Sequence, residues 1–277
     1  MRLGFDFTRA DKNQLRTGRN SITDTQAPSY VHTFGKRLET VTPSVDYSLT
    51  SRFGIMAALP IIRHTSDHRG SNQRGASGIE RSTKLGDMSL STRGNWSRMS
   101  GAKLLLLSVS VGVTVPVSGD MVDIFFDEID ITSGTVDPIL STRVGVMFTE
   151  QFSMGFRGFT RQIVSDNDGQ QLGDYYAYTL DADYVTCWER LRTSAKILLI
   201  VRSQDKVNGA AYLSSGGEWL YVVPGATLRL FDLFSSPLFL RTEIELPLYR
   251  NVNGTQVVSG YNLRAGLSYS FSLFSSE

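Results

Sequence analysis

The sequence predicts an all-β chain, a transmembrane antiparallel up-and-down β-barrel of about twelve strands. Three observations predict it: apolar residues at every second position, strands long enough to cross a bilayer, and connections that alternate between short and long. The alternation is clearest in the last fifth of the chain. Leu238, Leu240, Ile244, Leu246 and Leu248 fall two or four apart, broken only by Thr242, with Arg241, Glu243 and Glu245 between them. After a turn at Asn251-Val252-Asn253-Gly254 it restarts with Tyr261, Leu263, Ala265, Leu267, Tyr269, Phe271 and Leu273. Strand side chains alternate between faces, so each strand has one apolar face and one polar, partly charged face. Each run is about 11 to 13 residues, against about 5 to 6 for an ordinary soluble strand. A tilted membrane-crossing strand needs about 9 to 11.

Composition fits one such domain over residues 1–277. The net charge of +1 gives no electrostatic case for a nucleic-acid partner. Hydrophobic content is 41% and mean hydropathy is slightly negative, as a barrel that is apolar on alternate residues would show. No run of about 18 apolar residues exists that could form a membrane helix. The nearest, residues 104–117, is interrupted by Ser108, Ser110 and Thr114 at strand spacing. Cys187 is the single cysteine and allows no internal disulfide. Met1 to Phe7 already alternates like a strand, so the chain reads as a mature one whose signal peptide has been removed. The expected location is the bacterial outer membrane.

Taken in order, the first strand is expected at residues 2–8, with Leu3, Phe5 and Phe7 on one face, followed by a polar segment over 9–36. A second strand (37–48) turns at Leu49-Thr50-Ser51 into a third carrying Phe53, Ile55, Ala57, Leu59 and Ile61. A polar loop is expected over 63–81. Strands at 84–96 and around Leu105 to Val115 flank a short turn, and a long loop covers 118–136. The pair 140–148 and 152–163 turns at Thr149-Glu150-Gln151. A loop at 165–173, strands around Tyr176 to Tyr184 and Ala195 to Val201, a loop at 203–217 and a strand at 218–230 precede the final hairpin. Long and short connections thus alternate, as between the two sides of an outer membrane. Trp96, Phe148, Phe152, Trp188, Phe231, Phe234, Tyr269 and Phe271 gather near short turns. Tyr176, Tyr178, Trp219, Tyr221, Tyr249 and Tyr261 gather near long ones, which suits two interfacial girdles. Periodicity does not say which face points inward. A soluble lipocalin-like barrel would hold the same apolar face inside.

Several short stretches resemble a known family. Leu85-Gly86-Asp87-Met88-Ser89-Leu90 resembles a strand opening common in the outer-membrane proteins of the "MetA-pathway of phenol degradation" family. Gly112 to Gly119 resembles that family's strand ending in Pro-x-Gly, with one extra residue in Pro116-Val117-Ser118-Gly119. Asp137-Pro138-Ile139-Leu140 resembles its Asp-Pro strand start, and Tyr47 to Gly54 its short turn. By motif the resemblance covers roughly residues 41–159. It implies an outer-membrane barrel and a channel for small organic or aromatic compounds.

On the barrel reading the charged face points into the lumen. Its pore-lining candidates are Arg93, Arg143, Arg157, Arg161, Asp181, Asp183, Arg229, Arg241, Glu243, Glu245 and Arg264. The densest group is Arg241, Glu243 and Glu245 with Arg264 on the next strand. Charge withdrawn from bulk water must be paired or stay wet. The candidates are therefore either a structural ladder or the lining of a charged channel. His32, His64 and His68 all fall in expected loops, with no Ser–His arrangement at strand spacing, so no catalytic centre is expected. No metal or cofactor is expected either. The expected role is passage of small molecules, with outer-membrane lipid and a solute as partners. The alternative is a sealed anchor barrel that binds a protein through its loops or periplasmic side.

Overall fold

A computed structural model describes residues 1–26, 33–68, 78–117, 132–188, 190–234 and 236–271. The main strands are β1 (Arg2–Gly18), β3 (Thr33–Ser48), β4 (Phe53–Ala58), β7 (Met88–Ser100), β8 (Lys103–Val115), β9 (Asp137–Met147), β10 (Phe152–Arg161), β12 (Tyr175–Val185), β13 (Leu191–Arg202), β16 (Gly217–Leu233) and β17 (Ser236–Ser270). Neighbours among them pair antiparallel, in the order β1-β17-β16-β13-β12-β10-β9-β8-β7-β4-β3, and β3 pairs back to β1. The sheet is therefore closed. β17 is a hairpin: residues 236–252 pair with β16 and residues 252–270 with β1. Side-chain bonds between its arms, such as Asn262 Nδ2 to Glu245 Oε2 at 2.7 Å, hold them side by side. Counted by passes, the ring has twelve staves, as the alternation predicts.

The short turns repeat one chemistry. Thr50 Oγ1 accepts the backbone N–H of Phe53 at 3.0 Å, and Thr149 Oγ1 accepts that of Phe152 at 2.9 Å. In both turns a Thr hydroxyl substitutes for a backbone acceptor and closes the loop. β7 and β8 join through Gly101 and Ala102. Gly101 has φ of +61°, which a two-residue hairpin turn requires at its first position.

The long-connection side differs from expectation. β1 runs to Gly18, where the sequence predicts a strand end near Thr8. Residues 63–68 and 78–81, expected as loop, belong to β5 (Ile61–His68) and β6 (Gly78–Leu85), a hairpin that extends the wall. These extensions carry polar residues on both faces, so period-two hydrophobicity had nothing to mark them. β5 continues the line of β4 past Pro60, and β6 leads into β7 across Gly86 and Asp87. The two breaks are joined by Gly86 N–H to Pro60 O at 2.8 Å. Short strands β2 (Asn20–Ile22), β11 (Gln170–Gln171), β14 (Lys206–Val207) and β15 (Ala210–Ala211) order parts of the other long connections. The larger part of the expected 118–136 loop lies outside the described residues.

Burial settles the direction of the faces. Exposed side chains include Phe5, Phe53, Val111, Val144, Ile197 and Leu246, one or more on most staves. The most buried polar groups include Asp137, Ser66, Glu245 and Asp181. A soluble barrel would reverse this, because so large an exposed apolar surface is unfavourable in water. The belt is solvated by lipid chains. At the short-turn end it is rimmed by Trp96, Trp188 and Phe231, all exposed, and by the stacked rings of Tyr269 and Phe271, 5.3 Å apart. Tyr178 and Tyr261 are exposed near the other rim. Tyr221 is not part of that rim. It is buried with Leu198 and Val223, and Trp219 packs against the cluster. A bulge between Leu220 and Tyr221 shifts the register there, which alternation alone does not reveal.

Candidate functional site: the charged interior

At the central depth the staves turn polar faces inward and charged side chains from different staves meet there, while nearer the long connections β13 and β16 turn Leu198 and Tyr221 inward. Adjacent strands can exchange contacts on either face of a sheet. Strands separated by another strand bring side-chain tips together only on the concave side. Arg93 of β7 bonds Asp46 of β3 at 2.5 Å, past β4. Arg143 of β9 lies 3.8 Å from Asp181 of β12, past β10. Lys196 of β13 bonds Glu243 of β17 at 2.7 Å, past β16. These contacts fix the charged face as the inner one.

The central group lies on β9, β10, β12, β13 and β17. Glu243 accepts from Lys196 Nζ and lies 3.6 Å from Arg241, which bonds Asp6 of β1 at 2.6 Å. Glu245 accepts from Arg264 Nη2 at 2.6 Å and from Asn262. Asp181 fits against the wall because residue 155 is glycine. A Cβ there would sit 3.0 Å from the Asp181 carboxylate. Arg157 shares this space with Arg143, Arg241, Asp181 and Glu243. Among the described residues it makes no ion pair within salt-bridge distance. Asp183 lies two residues from Asp181 on the same face, opposite Ser194. The grouping of Arg241, Glu243, Glu245 and Arg264 expected from sequence is thus present.

A second group sits nearer the long connections. Arg161 of β10 donates to Asp137 Oδ2 at 2.7 Å from Nη2 and 3.1 Å from Nε. Its Nη2 also bonds Asp87, in the break before β7 and two staves beyond β9. Asp87 in turn accepts from Ser133 N–H at 3.0 Å, Ser133 Oγ and Thr132 Oγ1. Thr135 Oγ1 bonds Asp137 at 2.6 Å. Asp137 is fully buried, at 0% exposure. The aspartates of the Gly86-Asp87 and Asp137-Pro138 stretches, read in sequence as strand openings, therefore converge on one arginine. Their meeting needs the curvature of the barrel, because Asp87 and Arg161 are far apart in the chain.

Arg229 is apart from both groups. It makes a local pair with Asp232 at 2.7 Å, both largely exposed at the short-turn end of β16. Sequence reasoning placed His64 in a loop, but it belongs to β5 and is buried. Its Nε2 lies 3.1 Å from Ser66 Oγ, two residues on, so a Ser–His contact at strand spacing does exist. Among the described residues no group of three or more His, Cys, Asp or Glu could hold a metal. Cys187 is exposed beside the β12–β13 turn.

A closed antiparallel ring with an apolar exterior, aromatic rims and a charged interior defines the class: this is an outer-membrane β-barrel. No protein-family model matches the chain, and no curated protein resembles it in sequence. Among solved structures, the COG4313 outer membrane channel from Pseudomonas putida F1 superposes with a TM-score of 0.68 at 13% identity, over 98% of this chain and 95% of that one. That channel is of the family whose short motifs this sequence resembles. A Pseudomonas aeruginosa FadL homologue matches with a TM-score of 0.46 at 9% identity, over 98% and 90%. At 13% identity the likeness to the COG4313 channel is one of fold.

Proposed function

We propose that the protein is an outer-membrane channel that passes small molecules through its lumen. In this reading Arg93, Arg143, Arg157, Arg161, Asp181, Asp183, Arg241, Glu243, Glu245 and Arg264 line the path, and Arg229 stands at its short-turn mouth. One observation carries the reading. The side chains of Arg143, Arg241 and Arg264 face inward yet are 50%, 45% and 42% exposed. A lumen filled by interlocking side chains would bury them, so the interior at this depth is wet. The superposition on a protein whose name is that of an outer-membrane channel supports the same reading.

Transport rather than catalysis fits the residues. The interior charges are largely engaged in ion pairs, and among the described residues no nucleophile, base and orienting group stand in line with oxyanion donors. His64 and Ser66 touch, but both are buried, at 5% and 2% exposure, away from the wet arginines. The test is single-channel conductance of the purified protein in a planar bilayer. Discrete openings are expected. A heat-modifiable, correctly folded protein that never conducts would make this a sealed anchor barrel.

A further inference from the structure

We propose that the lumen selects small organic anions, carboxylates foremost, because its guanidinium groups face the water and its carboxylates stand behind them. The inference rests on the channel reading and adds the class of solute. At the central depth the named charges cancel in number. Arg93, Arg143, Arg157, Lys196, Arg241 and Arg264 face Asp6, Asp46, Asp181, Asp183, Glu243 and Glu245. Placement is what differs. Arg143, Arg157, Arg241 and Arg264 are exposed to the lumen. The carboxylate side chains of Asp181, Glu243 and Glu245 are only 5%, 6% and 3% exposed. Asp6 is the exposed carboxylate of the set, and Arg241 holds it at 2.6 Å.

A solute entering this section therefore meets mainly cations at contact distance; Asp183, partly exposed and without an ion pair among the described residues, is the carboxylate that no arginine covers. Interaction between charges falls with separation and with intervening water, so the nearer layer decides the sign that a permeant feels. Arg157 contributes a cation that makes no ion pair among the described residues, although Asp181 and Glu243 as well as Arg143 and Arg241 share its space. A planar guanidinium presents paired N–H donors that match the two oxygens of a carboxylate. The facing wall, β7 and β8, offers neutral groups: Ser91, Asn95, Ser108 and Ser110 share the inward face with Arg93 and Arg143. That wall can hydrogen-bond a solute without competing for its charge.

The test is the reversal potential of the full-length protein in a planar bilayer under a KCl gradient, repeated with potassium benzoate replacing KCl on one side. The expected result is a reversal potential of the sign set by anions, with measurable benzoate current. Arg157→Gln and, separately, Arg264→Gln should each move the reversal potential toward zero, while Lys103→Gln, on the outer face beside the β7–β8 turn, should leave it in place. Each variant is first checked for a heat-modifiable band, and two are used so that one misfolded variant does not decide the result. Conductance with cation preference, or with no preference that either variant changes, overturns this inference and leaves the channel standing. Absence of conductance in the unmutated protein overturns the channel reading itself and this inference with it.

Discussion

Arg161→Met is the sharpest test of what holds this barrel together. The arginine is 23% exposed, while the carboxylates that it joins, Asp87 and Asp137, are 3% and 0% exposed. Methionine keeps much of the aliphatic length and removes the charge. Two buried anions then lose their shared cation, and removing one partner of a buried pair costs about 3 to 5 kcal/mol. The network softens this loss. Asp87 keeps its bonds from Thr132 and Ser133, and Asp137 keeps Thr135 and a contact at 3.4 Å from Thr114. The expected cost is therefore near the lower bound, about 3 kcal/mol. Exchanging Arg229 for methionine breaks a pair exposed by 45% and 50%, and should cost about 0 to 1 kcal/mol. Urea unfolding in detergent micelles, followed by tryptophan fluorescence, measures both. Adding Asp87→Asn to Arg161→Met should recover part of the loss, since one of the two stranded charges is gone. If the two single variants unfold together, or if the double variant is the least stable, the buried network is not what fixes β10 to β7 and the reasoning fails.

Three further outcomes follow from the geometry. Leu107→Arg puts a charge on the lipid face near mid-strand and should destabilise the folded barrel by about 2 to 4 kcal/mol, whereas Ser108→Arg, one residue on and facing inward, should be far milder; equal losses in the same unfolding assay would contradict the assignment of faces. Cys187, exposed beside a short turn, should react with a membrane-impermeant maleimide in permeabilised cells and stay unlabelled in intact ones, and labelling of intact cells would invert the topology. Asp11 lies beyond the apolar belt on β1; burial raises its pKa, but bonds from Arg37 at 2.6 Å and Arg9 at 3.0 Å outweigh that and hold the carboxyl below its ordinary value of about 3.9. A lowered folded pKa stabilises above the unfolded value and is lost as pH falls through the folded one, so the margin of the unmutated protein over Asp11→Asn should be present at neutral pH and vanish below about 3.9. A margin unchanged down to the acid limit would rule out that linkage.

Much of this was legible in the chain itself, and for a definite reason. Lipid solvates one face of every stave, so period-two apolarity is imposed wherever the wall crosses the bilayer, as at Leu238 to Leu248 and Leu105 to Val115. The same requirement made the staves long and their number countable, and it grouped Arg241, Glu243, Glu245 and Arg264 on one side of two neighbouring strands. Where the wall leaves the bilayer the rule lapses. β5, β6 and the upper half of β1 carry polar residues on both faces, and so their strands, and with them the burial of His64, were invisible to periodicity.

What only the tertiary structure decided is direction and meeting. Alternation is symmetric between a barrel that hides its apolar face and one that displays it, and the closed ring with Asp137 buried and Val111 exposed breaks that symmetry. Local sequence places Asp87, Asp137 and Arg161 at strand ends but gives no measure of the curvature that brings three separate strands to one point. It also counts charges without ranking their depth. That the arginines stand in front of the carboxylates depends on side-chain length against the radius of the wall, a property of the closed barrel and not of any one strand.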